Sequence, residues 1–354
     1  MKVIDKYFKK SKVVPLDKFI ESVLYDEDYG YYSKKNPFGS NGDFITSPGI
    51  TFLFSEMIAV WIVSFWEKLN KPKKFNIVEL GPGSGLLSKI AIKTFKNFPE
   101  FYKSSNIFLY ERSKKLKLLQ RKNLLGNRIK WVSNFEKISG GPVIFFGNEF
   151  FDAVPLKQFE VKGKLLYERF VKKKENNSIE FSLKKITKEN LKILNNYKTL
   201  KKKNIVEFPK MGFKELNPIL KKIKKLNGGI LLVDYGFIKN NYNSTLQSVK
   251  SHKKIKLFKN IGKADITSLV NFNLLKEYFL KNSLNVSKIV EQGTFLKKIG
   301  ILNRAEIVSK KMNFKEKSDL FMRLQRILNP EQMGSLFKVI LAYKTKKRIY
   351  TGFD

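Results

Sequence analysis

The chain of 354 residues contains no cysteine, and His252 is its only histidine. Without cysteine the protein can form no disulfide, no thiolate zinc site and no cysteine nucleophile. A single histidine cannot build a cluster of imidazole ligands either, so the sequence predicts no metal site. Any chemistry must therefore depend on carboxylates, main-chain groups and a cofactor.

Acidic residues are scarce: 31 Asp and Glu stand against 70 Lys and Arg, which gives a formal net charge of +39. Such a surface attracts nucleic acid or anionic lipid without sequence preference. Most of the basic residues are lysine, whereas phosphate recognition favours arginine, so an AT-rich genome explains the composition more simply. A hydrophobic content of 42% is enough for a sizeable core and indicates a globular protein.

Long hydrophobic runs are also absent. The nearest one, ITFLFSEMIAVWIVSFW at residues 50–66, contains Glu56 and falls short of the roughly 20 apolar residues that span a bilayer. It predicts a buried helix instead, and we find no secretory signal at the N-terminus. We expect no membrane span and a cytoplasmic protein, or a protein of the mitochondrial matrix if the source is eukaryotic.

Five short apolar runs predict strands that are buried on both faces. They are residues 75–80, 106–111, 128–132, 142–150 and 228–236. Continuous rather than alternating hydrophobicity is typical of a parallel sheet with helices on both sides. The sequence therefore predicts a doubly wound α/β fold with a mostly parallel sheet. Later in the chain, LLKEYFLKNS predicts a helix, LNVSKIVEQG a strand, and residues 336–344 a last strand.

The domain organisation follows from these elements. We expect an N-terminal helical cap over residues 1–70, with helical periodicity around Leu16 to Leu24, a Rossmann-like core over 71–345, and a tail over 346–354. Residues 157–171 alternate on both sides of Lys162-Gly163, which predicts a hairpin at the start of an insertion over about 157–225. Trp66 and Trp131 are predicted to lie in the core.

The strongest local motif is VELGPGSG, in which Glu79 ends the first strand and three glycines precede a helix that begins near Leu86. Glycine is needed where the main chain turns sharply or touches a ligand. The third glycine comes one residue too early for a dinucleotide-binding fingerprint, and no P-loop pattern is present. A glycine turn that serves only tight packing is the alternative.

The pattern E-x-G-x-G-x-G resembles motif I of S-adenosylmethionine-dependent methyltransferases, in which an acid after the second strand binds the ribose hydroxyls. Glu111 of IFLYER stands at that position. The chain further resembles the MidA-type methyltransferases, which include a mitochondrial complex I assembly factor that methylates arginine. The matching segments include DYGYYS, GDFITSP, ERSKKLKLLQ, GNEFFDAVPLKQF, GGILLVDYG and GKADIT. This resemblance implies a class I methyltransferase fold, the cofactor S-adenosyl-L-methionine, and cofactor binding by Glu79, Gly81, Gly83, Gly85, Glu111 and Gln120.

The sequence departs from the family at several positions. The family commonly has Glu at the position of Gly49 and Asp at the position of Asn271. Ser84 and Lys114 differ as well, although the glycines and acids of the cofactor motif are present. The departures leave substrate preference, and a catalytic role for position 271, open.

GNEFFDAVP places two carboxylates after the fourth strand, where ligands bind in open α/β sheets. Carboxylates accept the forked hydrogen bonds of a guanidinium, so a target arginine fits this position. We predict that Asn148, Glu149, Asp152 and Asp43 are catalytic. As an alternative, Glu149 or Asp152 caps a helix or pairs with a nearby lysine.

Further residues are predicted to bind the substrate. Each also has a structural explanation: a polar turn for the residues near Pro48, a strand-terminal turn for those near Gly236, and a surface position for the histidine. The predicted substrate-binding residues are Thr46, Ser47, Phe150, Phe151, Asp234, Tyr235 and His252.

The leading functional hypothesis is protein arginine N-methylation linked to assembly of respiratory complex I, with an NADH dehydrogenase subunit as a candidate partner. An RNA methyltransferase is the second hypothesis, although NEFFD would repel phosphate and the sequence favours no nucleic-acid partner. The third is an assembly chaperone without catalysis. The sequence does not indicate which oligomeric state the protein adopts.

Overall fold

The computed structural model describes residues 3–8, 11–34, 46–201, 203–239, 243–250 and 253–354. The strands are β1 Val13–Pro15, β2 Phe75–Leu80, β3 Ser105–Tyr110, β4 Ile129–Val132, β5 Val143–Asn148, β6 Lys157–Lys162, β7 Leu165–Lys173, β8 Ile179–Lys185, β9 Ile205–Phe208, β10 Gly228–Phe237, β11 Gln247–Lys250, β12 Lys253–Ile255, β13 Asp265–Thr267, β14 Val270–Asn271, β15 Asn285–Val286, β16 Val290–Glu291 and β17 Phe337–Lys344. The helices are α1 Val3–Tyr7, α2 Leu16–Tyr25, α3 Tyr31–Lys34, α4 Ser47–Ile50, α5 Phe52–Lys68, α6 Leu86–Phe95, α7 Pro99–Ser104, α8 Lys114–Asn123, α9 Lys188–Asn195, α10 Lys210–Leu226, α11 Phe272–Lys281, α12 Gln292–Lys298, α13 Ile301–Ser309 and α14 Phe314–Leu328. A short 3-10 helix covers Lys198–Leu200 and one π-helical turn covers Pro330–Gly334.

The central sheet has the strand order β15-β17-β10-β5-β2-β3-β4. Strands β2, β3, β4, β5 and β10 run parallel to their neighbours, and β17 is antiparallel to β10. The chain therefore reverses its winding direction between β2 and β5, which opens a crevice at the carboxyl ends of these strands. This arrangement confirms the predicted doubly wound, mostly parallel fold.

Successive side chains of the central strands pack on opposite faces of the sheet. In β5, Ile144 and Phe146 belong to the cluster that contains α5 and α6, whereas Val143 and Phe145 belong to the cluster that contains α10 and α11. Both faces are covered by helices, which explains why the strands read as continuous apolar runs. The core thus consists of two layers, one on either side of the sheet.

The predicted strand LNVSKIVEQG is instead two short strands, β15 and β16, that both pair with β17. Val286 lies opposite Ala342 and Val290 opposite Val339. The segment that contains β15 and β16 therefore has one residue more than the part of β17 that it faces. The hydroxyl of Ser287 accepts the main-chain N–H of Leu341 at 3.1 Å. The extra residue interrupts the strand in the manner of a β-bulge.

Helix α5 confirms the buried helix predicted for the most apolar segment. The hydroxyl of Thr51 accepts the main-chain N–H of Leu53 and so begins the helix, and Trp66 is buried near its end. None of the helices in the described part of the chain has both the length and the apolarity that crossing a bilayer requires.

The structure confirms the predicted hairpin, because β6 and β7 pair antiparallel across Lys162-Gly163. Together with β9 and β8 they form a second sheet, and β1 from the N-terminal segment pairs with β7 at its edge. Three short strands, β12, β11 and β13, form a third sheet. The division into cap, core, insertion and tail stays a prediction.

Candidate active site

A single cleft lies where β2, β3 and β5 end, and its empty space is about 1210 Å³ including the open mouth. Predicted site residues share this cleft with residues that the sequence did not single out. The lining includes Thr46, Glu79, Gly81, Gly83, Glu111, Asn148, Glu149, Phe150 and Asp152, together with Tyr25, Tyr32, Arg112, Ser113, Glu215 and Asp265. The structure therefore brings the glycine loop and the acidic loop of GNEFFDAVP into one site.

The glycine loop turns through three left-handed residues. Gly81, Gly83 and Gly85 have φ angles of 61°, 55° and 81°, which glycine adopts without the steric cost paid by other residues. Gly81 and Gly83 line the cleft and offer it main-chain atoms with no side chain in between. Gly85 is outside the lining: it precedes α6, and a Cβ there would meet Leu124 at 3.2 Å. Gly85 therefore allows close packing at the start of α6, and its predicted contact with the cofactor stays a prediction.

Two carboxyl groups flank the loop. Glu79, near the end of β2, accepts a hydrogen bond from the Ser88 hydroxyl, and burial raises the pKa of Glu79 to about 7. Glu111 directly follows β3 and accepts the main-chain N–H of Ser113 at 2.8 Å. Burial also raises the pKa of Glu111. Each carboxylate oxygen can accept a second hydrogen bond, so both groups can still receive donors from a ligand.

Gln120 joins the glycine loop to Glu111. Its side-chain nitrogen donates to the main-chain oxygen of Gly83 at 2.9 Å and to Glu111 Oε2 at 3.1 Å, and its oxygen accepts from Trp131 Nε1 at 2.9 Å. Gln120 is fully buried and does not line the cleft, so it positions other residues. The prediction that Trp131 lies in the core is wrong, because its side chain is only partly buried and reaches the core through its N–H, which donates to the buried Gln120.

The acidic loop begins with an unusual main-chain conformation at Glu149. This residue has a φ of 53°, in the left-handed region that glycine prefers. Asn148 Nδ2 donates to Glu149 Oε1 at 2.9 Å, and the main-chain N–H of Ser47 also donates to this carboxylate. Loss of solvent raises the pKa of Glu149 to about 7. Asn148 Oδ1 is buried and has no hydrogen-bond partner among the described residues.

Asp152 is buried beside Glu149. Burial and the neighbouring charge of Glu149 raise its pKa to about 7, although the Tyr235 hydroxyl donates a hydrogen bond to it. No helix begins between residues 149 and 155, so neither carboxylate is a helix N-cap. Neither carboxylate forms a salt bridge with a lysine or arginine in the described part of the chain; Arg112 lines the same cleft but pairs with Glu215 at 3.0 Å. The two carboxyl groups therefore present hydrogen-bond acceptors and negative charge on one side of the cleft, where a cationic ligand would be stabilised.

Residues 57–290 match the model of a protein family described as S-adenosyl-L-methionine-dependent methyltransferases. The chain belongs to this family. The Xenopus laevis protein named protein arginine methyltransferase NDUFAF7, mitochondrial, is 26% identical over 359 residues, which cover 93% of this chain and 81% of that protein. The Caenorhabditis elegans homolog of that name is 31% identical over 300 residues, which cover 78% of this chain and 70% of that protein.

A solved structure shares the fold of this methyltransferase. A Burkholderia thailandensis protein, crystallised with S-adenosyl-homocysteine, superimposes with a TM-score of 0.80 at 20% identity and covers 97% of this chain and 89% of that chain. The cofactor of this methyltransferase is S-adenosyl-L-methionine. The site fits it, because Gly81 and Gly83 present bare main chain and Glu111 presents carboxylate acceptors within the same cleft.

The remaining predicted residues fall into three groups. Thr46 and Phe150 line the cleft of the methyltransferase. Ser47, Phe151, Asp234 and Tyr235 support the lining from behind, where Phe151 packs on Phe213 with ring centroids 6.2 Å apart. Asp43 and His252 lie outside the described residues, so their predicted roles stay predictions.

The departure at Asn271 has a structural explanation. Its side chain accepts the main-chain N–H of Leu274 at 3.1 Å and so caps α11, a role that aspartate fills equally well. Asn271 does not line the cleft. The change from the family's aspartate therefore leaves the geometry of the site intact.

Sequence reasoning about the site missed Tyr25, Tyr32 and Asp265. Tyr32 belongs to DYGYYS and Asp265 to GKADIT, two segments that carry the family resemblance. Membership of these segments was the only sequence signal for Tyr32 and Asp265, because neither residue lies at the end of a predicted central strand. Their place in the cleft depends on the N-terminal helices and the third sheet, which local patterns do not reveal.

Proposed function

We propose that this methyltransferase methylates the side chain of an arginine in a protein substrate. The observation that supports this proposal best is a group of hydrogen-bond acceptors beside the glycine loop. They are Asn148 Oδ1 and the carboxyl groups of Glu149 and Asp152. A guanidinium presents only donors, in a planar fork that matches carboxylates. A guanidinium thus suits a site in which burial and the charge of Glu149 raise the pKa of Asp152.

The names of the relatives support the same substrate class, since proteins from frog and nematode are called protein arginine methyltransferases. We extend the proposal to a role in the assembly of respiratory complex I, with an NADH dehydrogenase subunit as the substrate. We expect the enzyme to act in the bacterial cytoplasm, or in the mitochondrial matrix if the source is eukaryotic. The relatives' names include the word mitochondrial.

S-adenosyl-L-methionine supplies an electrophilic methyl group on a sulfonium. The chain's own part is to hold the attacking nitrogen in line and to exclude water. Glu149 and Asp152 accept the N–H groups of the guanidinium and so select the nitrogen that faces the glycine loop. As the new N–C bond forms and the S–C bond breaks, one proton leaves that nitrogen. A carboxylate with a pKa of about 7 can accept it.

The experiment compares the wild type with Glu149→Gln and Asp152→Asn. Tritiated methyl from S-adenosyl-L-methionine is transferred to proteins of a lysate, and the label is tested with protease and with ribonuclease. We expect protease-sensitive label in methylarginine, reduced at least about 100-fold in both variants, with S-adenosyl-homocysteine binding unchanged by calorimetry. The matched control is Asp319→Asn, an exposed carboxylate on α14 that pairs with Arg323.

Each alternative gives a different result. Label that ribonuclease removes would identify an RNA methyltransferase, and the arginine proposal would be wrong. Tight binding of S-adenosyl-homocysteine without any transfer would identify an assembly chaperone. Label in protein that resists both substitutions would show that the acidic loop does not bind the target arginine.

A further inference from the structure

A third carboxylate approaches the cleft from a different sheet. Asp265 is the first residue of β13, it is 2% exposed, and it lines the cleft that holds Glu149 and Asp152. The main-chain N–H of Ile266 donates to Asp265 Oδ1 at 2.8 Å. Its second oxygen, Oδ2, accepts a hydrogen bond from the hydroxyl of Tyr32 at 2.9 Å. The side chain is therefore held in one orientation by two directed contacts.

Asp265 acts on the same space as the acidic loop. Burial is the main cause of the raised pKa values of Glu149 and of Tyr25, which also lines the cleft, and the negative charge of Asp265 adds to both shifts. A charge can do this only from short range in a poorly solvated region. The third sheet thus contributes an acceptor to the pocket that the central sheet begins.

Hydrogen bonds hold Tyr32 at its main-chain oxygen and at its side-chain hydroxyl. Its main-chain oxygen accepts the Ser113 hydroxyl at 3.0 Å, and the main-chain N–H of Ser113 donates to Glu111. Its ring lies against that of Tyr25, with centroids 5.4 Å apart and planes inclined by 21°. The Tyr25 hydroxyl donates to the main-chain oxygen of Ala153 at 3.0 Å. Tyr32 therefore connects the segment after Glu111 to Asp265.

The donor count of a guanidinium matches three carboxylates better than two. Arginine presents five N–H donors along several edges of a plane, whereas lysine presents three on one point charge. Asn148 Oδ1 and Glu149 can serve one edge, and Asp265 can serve another. We propose that Asp265 is the third carboxylate of the arginine slot and selects arginine over lysine, and that Tyr32 is the positioning residue that holds it. This inference rests on the proposed function.

The test uses ethylguanidinium and propylammonium as probes, titrated by calorimetry into the full chain with S-adenosyl-homocysteine present. We expect the wild type to bind ethylguanidinium at least about tenfold more tightly than propylammonium. Asp265→Asn should lose about tenfold in affinity for ethylguanidinium, and Tyr32→Phe about threefold. Because Tyr32 acts through Asp265, the double variant should bind no more weakly than Asp265→Asn alone.

The controls are Asp319→Asn and Tyr350→Phe, the same chemical changes at exposed positions. Wild-type affinity in Asp265→Asn would overturn the inference and leave the proposed function standing. Additive losses in the double variant would overturn the role of Tyr32, and loss of S-adenosyl-homocysteine binding in Asp265→Asn would show a purely structural role. A wild type that prefers neither probe would instead contradict the proposed function itself.

Discussion

The carboxylate of Asp234 accepts the main-chain N–H of Phe151 at 2.7 Å. The same oxygen accepts the N–H of Asp152 at 3.3 Å, and the other oxygen accepts the N–H of Tyr235 at 2.9 Å. Asp234 is 1% exposed and lies beneath the acidic loop, whereas the sequence suggested that it lines the substrate slot. The end of β10 thus fixes the main chain that carries Glu149 and Asp152.

Replacing Asp234 by alanine should therefore disorder the acidic loop. Three main-chain N–H groups lose their acceptor, and we expect the free energy of unfolding to fall by about 2–4 kcal/mol. Methyl transfer should fall more than S-adenosyl-homocysteine binding, because the glycine loop lies on other strands. Urea denaturation and single-turnover transfer measure the two effects. Equal losses of transfer and cofactor binding would contradict the positioning role.

Gly83→Ala should weaken cofactor binding. Position 83 has a φ of 55° and lines the cleft, so a Cβ both strains the main chain and covers the surface offered to the ligand. We expect the dissociation constant of S-adenosyl-homocysteine to rise at least about tenfold by calorimetry. The matched control is Gly163→Ala, which has a φ of 61° in the β6–β7 hairpin, where a Cβ meets nothing within 4 Å.

The left-handed conformation destabilises both alanine variants by a similar amount, about 1–2 kcal/mol. Their melting temperatures should fall by similar amounts, and only Gly83→Ala should lose affinity. If Gly163→Ala loses as much affinity, global destabilisation is the cause and the direct role of the glycine loop is wrong.

The stability of the ligand-free protein should fall as pH rises through 7. Glu79, Glu149 and Asp152 each have a pKa raised to about 7, above the value of about 4 in the unfolded chain. Their contribution to stability is complete below about pH 4, where both states are protonated, and it is lost as pH rises through about 7. The loss is at most about 4 kcal/mol for each group, because one pKa unit corresponds to about 1.4 kcal/mol. Urea denaturation between pH 5 and pH 8, at roughly half-unit intervals, measures it.

Glu149→Gln isolates part of this effect. The substitution removes one titrating group and also relieves the repulsion that raises the pKa of Asp152. The slope of stability against pH should therefore be smaller than in the wild type, whereas Asp319→Asn should leave it unchanged. An identical slope in Glu149→Gln would show that this carboxyl does not titrate near neutrality.

Lys157→Met should destabilise the protein strongly. Lys157 is 11% exposed at its side chain and donates to Asp17 at 3.1 Å and to Glu168 at 2.5 Å, both of which are buried. Removing the cation leaves two buried carboxylates without their counter-charge, at a cost of about 3–5 kcal/mol.

The control for this ion cluster is Lys210→Met. Lys210 pairs with Glu189 at 2.9 Å, but both side chains are exposed and screened by solvent, so we expect a much smaller loss than in Lys157→Met. Thermal or urea denaturation compares the two variants. Similar losses would show that the Lys157 cluster contributes no more than a surface pair.

The sequence predicts the central sheet well because its strands are buried on both faces. Phe75–Leu80 and Val143–Asn148 therefore appear as mostly apolar runs without the alternation of a half-exposed strand. The glycine loop is readable for a similar reason, since Gly81 and Gly83 need a conformation that few other residues adopt. Patterns that depend on one strand or one turn can be read without knowing the rest of the chain.

Features that depend on distant pairing could not be predicted. The break between β15 and β16 follows from one extra residue opposite β17, which periodicity does not show. Asp265 and Tyr32 enter the cleft because a third sheet and an N-terminal helix meet there. The predicted role of Gln120 in cofactor binding stays a prediction, and only the fold shows that its side chain contacts Gly83, Glu111 and Trp131.

The tyrosine contacts across the cleft join very distant parts of the chain. Tyr25 contacts Ala153, 128 residues later, and Tyr32 contacts Asp265, 233 residues later. A ribosome adds about 5–20 residues each second, so Tyr32 waits roughly 10–50 s for its partner during synthesis. For that time the two tyrosines lack the partners that they contact in the folded protein, so the cleft is completed only late in synthesis.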